Sequence, residues 1–142
     1  MNLQNLEPLV SFYETLTAEN VGRLDRFYSA DAVFKDPFNE VCGLKAITRI
    51  FRHMFIQVDA PRFLFTGRFF GEAGVMLLWE FHFRTRRAPL QTLCVRGSTH
   101  LRFDDDGKVI LHRDYWDAAE ELYAKLPVLG WLMRRLQRMS RA

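Results

Sequence analysis

The feature that most constrains the fold is a series of four long strand-like runs in the second half of the chain. These runs cover residues 62–70, 75–84, 90–103 and 108–117. Within the second run, apolar and polar residues alternate, with Val75, Leu77, Trp79, Phe81 and Phe83 opposed by Glu80, His82 and Arg84. This period of two predicts strands with one buried face and one polar face. Short turns between the runs predict an antiparallel meander.

Helical patterns come before these runs. The predicted helices cover residues 3–18, 21–28 and 44–57. Asn20 is a candidate N-cap of the second helix, and a short strand over residues 32–36 is ended by Pro37. Helices followed by an antiparallel meander predict an α+β fold, with the helices on one face of the sheet.

The chain ends in a basic amphipathic segment. Residues 118–125 are predicted to be helical, and a further helix is predicted to begin at Pro127. Its apolar stripe (Val128, Leu129, Leu132, Leu136, Met139) is opposed by Arg134, Arg135, Arg138 and Arg141. This helix either caps the open end of the domain, with its basic side in solvent, or binds an anionic membrane surface or an acidic partner.

The distribution of charge argues against nucleic-acid binding. The formal net charge is +3, but five basic residues and no acidic residue follow residue 124, which leaves −2 on residues 1–124. A nucleic-acid-binding protein is expected to cluster its basic residues on the folded body. We therefore expect no nucleic-acid partner.

The cysteine content and the apolar runs indicate the compartment. Cys42 and Cys94 do not make a disulfide framework, and 142 residues are enough for one core without a covalent staple. The longest apolar runs are far shorter than the roughly 20 residues that span a bilayer. The N-terminus has no pattern of a secretory signal. These observations predict a cytoplasmic protein.

Two polar residues in the last run are candidates for acid–base chemistry. His112 and Asp114 are two residues apart, so they share a strand face with Ile110 and Trp116, opposite Val109, Leu111 and Tyr115. A carboxylate beside an imidazole can raise the imidazole pKa and fix its tautomer. The alternative is a structural polar pair at a sheet edge or a dimer interface.

Asp36 is a third candidate. It follows Phe34 on its strand and precedes Pro37 and Phe38. Aromatic surroundings disfavour a charged carboxylate, which makes Asp36 a candidate proton shuttle. The alternative is an aspartate that caps a turn before proline.

Three segments carry a resemblance to a known family. The run from Tyr28 to Phe38 (YSADAVFKDPF), the run LRFDDDGKV over residues 101–109, and Tyr115-Trp116 resemble the ketosteroid isomerase and SnoaL-like branch of the nuclear transport factor two-like superfamily. The resemblance implies a cone-shaped, cystatin-like roll, in which a curved antiparallel sheet wraps around the N-terminal helices and encloses an apolar pocket. It also implies a single domain over residues 1–142, with a core at about 3–117 and a C-terminal helical extension at 118–142.

The resemblance also implies roles for single residues. The aspartate that matches Asp36 is the general base of ketosteroid isomerases, and the tyrosine that matches Tyr13 donates a hydrogen bond to the enolate oxygen. The family's protonated acid is replaced here by Thr99, so the oxyanion hole would be partial. Since His112 and Asp114 stand where the family has largely apolar residues, either the substrate or the chemistry is expected to differ from a steroid isomerisation.

These expectations define a hypothesis and its alternatives. The predicted function is acid–base isomerisation or cyclisation of an apolar enolisable ketone, with the catalytic residues Asp36, Tyr13, Asp114 and His112. The predicted substrate pocket consists of Thr99, Trp116, Trp79, Phe81, Phe34 and Phe38. Cyclisation of the SnoaL kind needs one acid–base group, Asp36 or Asp114. Epoxide hydrolysis needs an arginine and two aspartates around one water molecule, and it fits less well. Alternation puts Arg96 and Thr99 on different faces of the strand, and Thr99 stands where a second acid would help.

A function of another class is a non-catalytic ligand-binding or dimeric assembly module. The expected partners are a small apolar ligand and a second copy of the chain, bound through the outer face of the sheet. His53, His82, His100 and His112 are scattered, so the sequence predicts no metal site and no cofactor.

Overall fold

The structure, a computed structural model, describes residues 1–123 and 127–141. Its helices are α1 (Leu6–Glu14), α2 (Leu44–Gln57), α3 (Ala118–Glu121) and α4 (Pro127–Ser140), with a 3₁₀ helix at Val21–Arg26. Its strands are β1 (Tyr28–Lys35), β2 (Glu40–Cys42), β3 (Val58–Gly71), β4 (Gly74–Thr85), β5 (Thr92–Phe103) and β6 (Val109–Tyr115).

All six strands form one curved sheet in the order β2-β1-β6-β5-β4-β3. The four long runs pair as the predicted antiparallel meander, and β2 pairs antiparallel to β1. One parallel pair, β1 with β6, brings the start of the chain beside the last strand. The α+β class and the N-terminal helices against one face of the sheet are confirmed.

The helices agree only partly with the sequence patterns. The predicted bounds of α2 are correct, but α1 is shorter than predicted. The prediction of a second α-helix over residues 21–28 was wrong, because residues 21–26 form a 3₁₀ helix and Tyr28 begins β1. Asn20 does not cap it; its side chain accepts from the Thr17 amide and donates to the Thr15 carbonyl. The apolar spacing in this segment also suits a 3₁₀ helix.

The main core lies between the helices and the inner face of the sheet. Buried residues of α1, the 3₁₀ helix and α2 pack against the inward residues of β1, β4, β5 and β6. A second apolar cluster lies farther along β4 and β5 and contains Trp79, Phe83, Leu93 and Val95. Phe81 and Trp116 pack against this second cluster and are half-buried.

A bulge in β6 changes the predicted division of its faces. Phe103 pairs with Val109, whereas Arg102 pairs with Leu111, so Ile110 has no partner on β5. The strict alternation that put Val109 opposite His112 was wrong, since both residues are buried. The extra residue shifts the pleat by one position and turns His112 and Asp114 towards the interior.

The C-terminal segment is described except at residues 124–126 and 142. Asp117 caps α3 by accepting a hydrogen bond from the Glu120 amide at 3.1 Å. The end of the helix predicted over residues 118–125 lies outside the described residues. The predicted start of α4 is correct, and its side chains at Trp131, Leu132, Leu136 and Met139 are exposed. Among the described helices, none is long and apolar enough to cross a membrane.

Candidate active site

A buried hydrogen bond on β6 forms the centre of the candidate site. Nε2 of His112 lies 2.9 Å from Oδ1 of Asp114. The His112 ring is almost fully buried and contacts the Phe34 ring, with ring centroids 4.7 Å apart. The Asp114 side chain is 18% exposed. The pair therefore connects the apolar core to the surface of the domain.

Two buried tyrosines continue the hydrogen bonds on the core side of His112. The Tyr28 hydroxyl lies 2.6 Å from Nδ1 of His112 and is also hydrogen-bonded to the Tyr13 hydroxyl. Burial raises the pKa of Tyr28 and of Tyr13 well above their usual value of 10.0. The hydrogen bond between the two hydroxyls opposes the rise of the pKa at Tyr13, whereas the contact with Tyr13 adds to the rise at Tyr28; the charge of Asp114 raises both pKa values further. Both phenols therefore stay protonated at neutral pH.

Asp114 also receives a hydrogen bond from β5. The Thr99 hydroxyl donates to Oδ1 of Asp114 at 2.5 Å, and Nε1 of Trp79 donates to the Thr99 oxygen at 2.7 Å. The indole reaches Thr99 because Gly97 has no side chain. A Cβ at Gly97 would lie 2.6 Å from the Trp79 ring, which is closer than carbon atoms can approach. The glycine thus makes room for this bond.

The acceptors and donors fix the direction of the hydrogen bonds. With Asp114 ionised, its carboxylate accepts from the N–H at Nε2 of His112, and Nδ1 is then an acceptor for the Tyr28 hydroxyl. The Tyr28 oxygen accepts from the Tyr13 hydroxyl. Every donor then has an acceptor, so the arrangement holds His112 in one tautomer and Asp114 in one orientation.

Asp114 is one of the residues that line a cleft of about 550 Å³. Its lining residues are Lys35, Asp36, Pro37, Arg113, Asp114, Tyr115, Trp116 and Asp117. Both hydrogen bonds to Asp114 end on Oδ1. Within the described part of the chain, Oδ2 has no hydrogen-bond partner, so it is available to a molecule in the cleft.

Asp36 lines the same cleft but is bound differently. Its Oδ1 accepts from the backbone amides of Phe38 at 2.8 Å and Asn39 at 2.6 Å. Both carboxylate oxygens also contact the Asn39 side-chain amide. This pattern is an aspartate turn, which closes the β1–β2 hairpin around Pro37. These contacts are the ones expected from the alternative in which Asp36 caps a turn. The role of Asp36 as a base remains a prediction.

The other predicted site residues are divided between the cleft and the interior. Trp116 lines the cleft, and Phe38, which is 56% exposed, contacts its ring at 5.6 Å between centroids. The interior residues are Tyr13, Thr99, Trp79 and Phe34. Phe81 stacks on Phe63 in the second cluster. The structure therefore brings Asp36, Asp114 and Trp116 together and keeps Tyr13 behind His112.

Sequence reasoning missed Tyr28 as a site residue. Its pattern was assigned to a helix, while its position is set by pairing with Val109 on β6, 81 positions away in the chain. Tyr28 could be placed only by knowing that β1 pairs with β6, and no local pattern in the sequence indicates that parallel pairing. On the outer face, Arg96 pairs with Glu121 at 3.2 Å, as expected from its predicted side of the sheet. The described residues that could hold a metal ion, Glu80, His82 and Cys94, also lie on that face.

Comparison with known proteins agrees with this architecture. The family model of the SnoaL-like domain matches residues 9–112, which covers the N-terminal helices and the sheet as far as His112. The chain belongs to the SnoaL-like domain family. No curated protein matches this SnoaL-like chain in sequence.

Solved structures share the fold of this SnoaL-like protein at low sequence identity. A protein from Catenulispora acidiphila DSM 44928 with a ketosteroid isomerase-like fold, crystallised with trimethylamine, has a TM-score of 0.74 and 16% identity, covering 92% of this chain and 98% of its own. A protein from Shewanella putrefaciens CN-32, named as a SnoaL-like polyketide cyclase, has a TM-score of 0.67 and 19% identity, covering 86% and 98%. An epoxide hydrolase of M. tuberculosis has a TM-score of 0.64 and 19% identity, and the match covers 92% of this chain and 90% of its own.

Proposed function

We propose that this SnoaL-like protein is an enzyme that moves a proton on a small apolar molecule, and so isomerises or cyclises an enolisable ketone. The observation that carries the proposal is the position of Asp114. Its Oδ1 is held from inside by His112 and Thr99, and its Oδ2 is available to the cleft. The similarity to a protein named as a polyketide cyclase supports the same class of chemistry.

In the proposed reaction, Asp114 is the general base. Oδ2 takes a proton from the carbon next to the substrate carbonyl, and the electrons of that C–H bond move to the carbonyl oxygen to form an enolate. In an isomerisation, Asp114 returns the proton to a different carbon. In a cyclisation, the enolate carbon attacks a second carbonyl of the same molecule, whose oxygen takes the proton from Asp114.

The interior residues act on this reaction through Asp114. His112 and Thr99 both donate to Oδ1, so they hold the carboxylate in place and stabilise its charged form. Tyr28 donates to the acceptor side of His112, and Tyr13 donates in turn to Tyr28. We therefore propose His112, Thr99 and Tyr13 as positioning residues, since their polar atoms are already bound within the core.

The cleft residues supply charge and apolar surface for the substrate. Lys35 and Arg113 bring positive charge to the rim of the cleft, from strand positions next to the inward Phe34 and His112; Lys35 also pairs with Glu40 at 3.6 Å. Trp116 and Phe38 present aromatic surface to an apolar ligand. Asp36 follows Lys35, which pairs with Arg113, so it lies beside Asp114. We propose that it also contacts the substrate, with its carboxylate fixed by the turn that it closes.

Hydrogen–deuterium exchange at carbon tests the enolisation step directly. Cyclic ketones and aromatic polyketide mimics would be incubated with the protein in heavy water, and proton NMR would follow the loss of the signal next to the carbonyl. We expect the wild type to catalyse exchange in at least one of these classes, and Asp114→Asn to lose it.

A matched control separates the site from a general effect of charge. Asp106→Asn removes an exposed carboxylate in the β5–β6 turn, away from the cleft, and should exchange as the wild type does. Phenols, which mimic an enolate, should raise the melting temperature of the wild type. Absence of both exchange and ligand stabilisation across the panel would contradict the proposed function.

A second candidate function, assembly of two copies, is favoured by apolar side chains on the outer face. Leu64, Phe69 and Leu78 are exposed there, and a groove of about 400 Å³ beside them is lined partly by Phe69 and Met76. We propose a homodimer through this face. Sedimentation should find a dimer that Phe69→Asp dissociates and that Leu90→Asp, an exposed control on the β4–β5 loop, leaves intact. A monomeric wild type would contradict it.

A further inference from the structure

Three potential metal ligands converge on the outer face of the sheet. Glu80 and His82 are two residues apart on β4, so they share one face, and Cys94 on β5 lies directly opposite His82. Oε1 of Glu80 lies 2.9 Å from Nε2 of His82, and Sγ of Cys94 lies 3.8 Å from the same nitrogen. The three ligand atoms all lie within 4.8 Å of one another.

We propose that Glu80, His82 and Cys94 bind a zinc ion. Zinc takes sulfur at about 2.3 Å and nitrogen or oxygen at about 2.0–2.2 Å in a tetrahedral site, which puts neighbouring ligand atoms about 3.3–3.7 Å apart. Small rotations of the side chains bring the three ligand atoms to that spacing, because His82 and Glu80 are slightly too close and Cys94 is slightly too far. A water molecule completes the tetrahedron.

The chemistry of the three ligands favours zinc over the common hard cations. A thiolate and an imidazole suit zinc, whereas calcium and magnesium prefer oxygen ligands alone. On binding, the Cys94 thiol releases its proton and His82 keeps its remaining proton on Nδ1. Arg96, which faces Glu80 across the strand pair, bonds to Glu121 instead. Its charge is therefore partly compensated near the proposed ion.

The proposed zinc site is independent of the proposed reaction. Trp79, Phe81 and Thr99 occupy the inner face of the same two strands, and Asp114 lies on that side as well. A zinc ion on the outer face would connect β4 to β5 without contact with the cleft. The spacing of these three residues in the sequence does not match a metal-binding motif. They come from two strands and are brought together only by the pairing of β4 with β5.

Cobalt binding to the full-length protein, reduced with a phosphine rather than a thiol, tests the site. Co²⁺ reports a thiolate ligand by a charge-transfer band in the near ultraviolet and a tetrahedral site by intense visible bands. We expect both bands in the wild type and their loss when Zn²⁺ is added. Cys94→Ser should lose the charge-transfer band, and His82→Gln should weaken cobalt and zinc binding by more than about tenfold.

Two matched variants control for the other thiol and for a surface histidine. Cys42→Ser removes the exposed cysteine of β2, and His53→Gln removes an exposed histidine of α2; both should bind cobalt as the wild type does. Circular dichroism checks that each variant is folded, and Glu80→Gln provides a third ligand variant. The proposal is overturned if the wild type shows no charge-transfer band, if the band survives in folded Cys94→Ser, or if Cys42→Ser removes it.

Discussion

Asp114 and Asp36 line the same cleft, but different parts of the molecule hold them. Asp114 lies on a strand and is oriented by residues that are distant in the chain, Thr99 through its hydroxyl and Tyr28 through His112. Asp36 lies in a turn and is oriented by the backbone amides of Phe38 and Asn39, its near neighbours. One carboxylate is fixed by tertiary structure, the other by two residues that lie close to it in the chain.

This difference separates a carboxylate that is positioned for chemistry from one that serves the backbone. The hydrogen bonds to Asp114 use one oxygen and come from side chains that are themselves bound. The bonds to Asp36 satisfy backbone amides that would otherwise need water. We therefore expect variants of Asp114 to affect mainly activity and variants of Asp36 to affect mainly stability.

The largest expected effect is on the rate of proton exchange. Asp114→Asn should lower the rate about 10²–10⁴-fold, because a positioned general base contributes that much. Asp36→Asn should lower it far less, since asparagine keeps the oxygen that closes the turn. NMR-detected exchange of the two variants, on the same ketone, measures the ratio. A larger loss in Asp36→Asn than in Asp114→Asn would reverse the assignment of the base.

Tyr28→Phe should have the next largest effect. The change removes the hydroxyl that lies 2.6 Å from Nδ1 of His112 and leaves buried polar groups without their partner. We expect a loss of about 1–3 kcal/mol in the free energy of unfolding, measured in urea. Tyr115→Phe, a change on a half-exposed ring, should cost less than about 0.5 kcal/mol. Equal costs would show that the buried hydroxyl contributes nothing specific.

Alkaline pH should weaken the core side of the site. The pKa values of Tyr13 and Tyr28 are raised by burial, whereas the unfolded chain ionises its tyrosines near 10.0. Above that pH the unfolded state binds fewer protons than the folded state, so stability is present below pH 10.0 and is lost as pH rises further. Urea denaturation at increasing pH should show this loss.

Each single change to phenylalanine at Tyr13 or Tyr28 should reduce the slope of that loss. A phenolate absorbance titration gives a second measurement, because the chain has four tyrosines and these two should ionise only as the protein unfolds. Free titration of all four tyrosines in the folded state would contradict their burial.

The smallest expected effect is the loss of stability when the Asp36 side chain is removed from the β1–β2 turn. Asp36→Ala removes the acceptor for the two backbone amides of the β1–β2 connection. We expect a loss of about 1 kcal/mol in the free energy of unfolding, since the turn lies at the edge of the sheet and water can replace part of the bonding. Asp36→Asn should keep most of that stability. If both variants are as stable as the wild type, the side chain does not support the turn.

The strands that pair with chain neighbours could be predicted well from the sequence. In β4 the alternation predicted that Trp79 faces inward and that Glu80 and His82 face outward, and α2 has its predicted bounds. β3 was predicted to begin at residue 62, but it begins at Val58 and passes an irregular register at Pro61. Proline suggests a strand end, yet an edge strand with a bulge can contain it.

The candidate site could be predicted in part. His112 and Asp114 stand out as polar residues on an apolar strand, and Asp36 stands out between aromatic residues, so the sequence identified all three. Tyr28 was not identified, because its strand assignment depends on parallel pairing with β6. Whether Asp36 or Asp114 has a free oxygen also could not be predicted, since it depends on which groups come within hydrogen-bonding distance.

Local sequence patterns are enough to predict the periodic features of this protein: the alternation that buries one face of β4 and β5, the amphipathic α2, and the basic face of the C-terminal helix. Local patterns suffice there, because the side-chain direction follows from the period of the backbone. The tertiary structure decided the rest. The bulge at Ile110 turns His112 inward with Val109, β1 brings Tyr28 to it, and Gly97 lets Trp79 reach Thr99. These contacts join residues far apart in the chain, so only the paired strands of the folded sheet bring their atoms together.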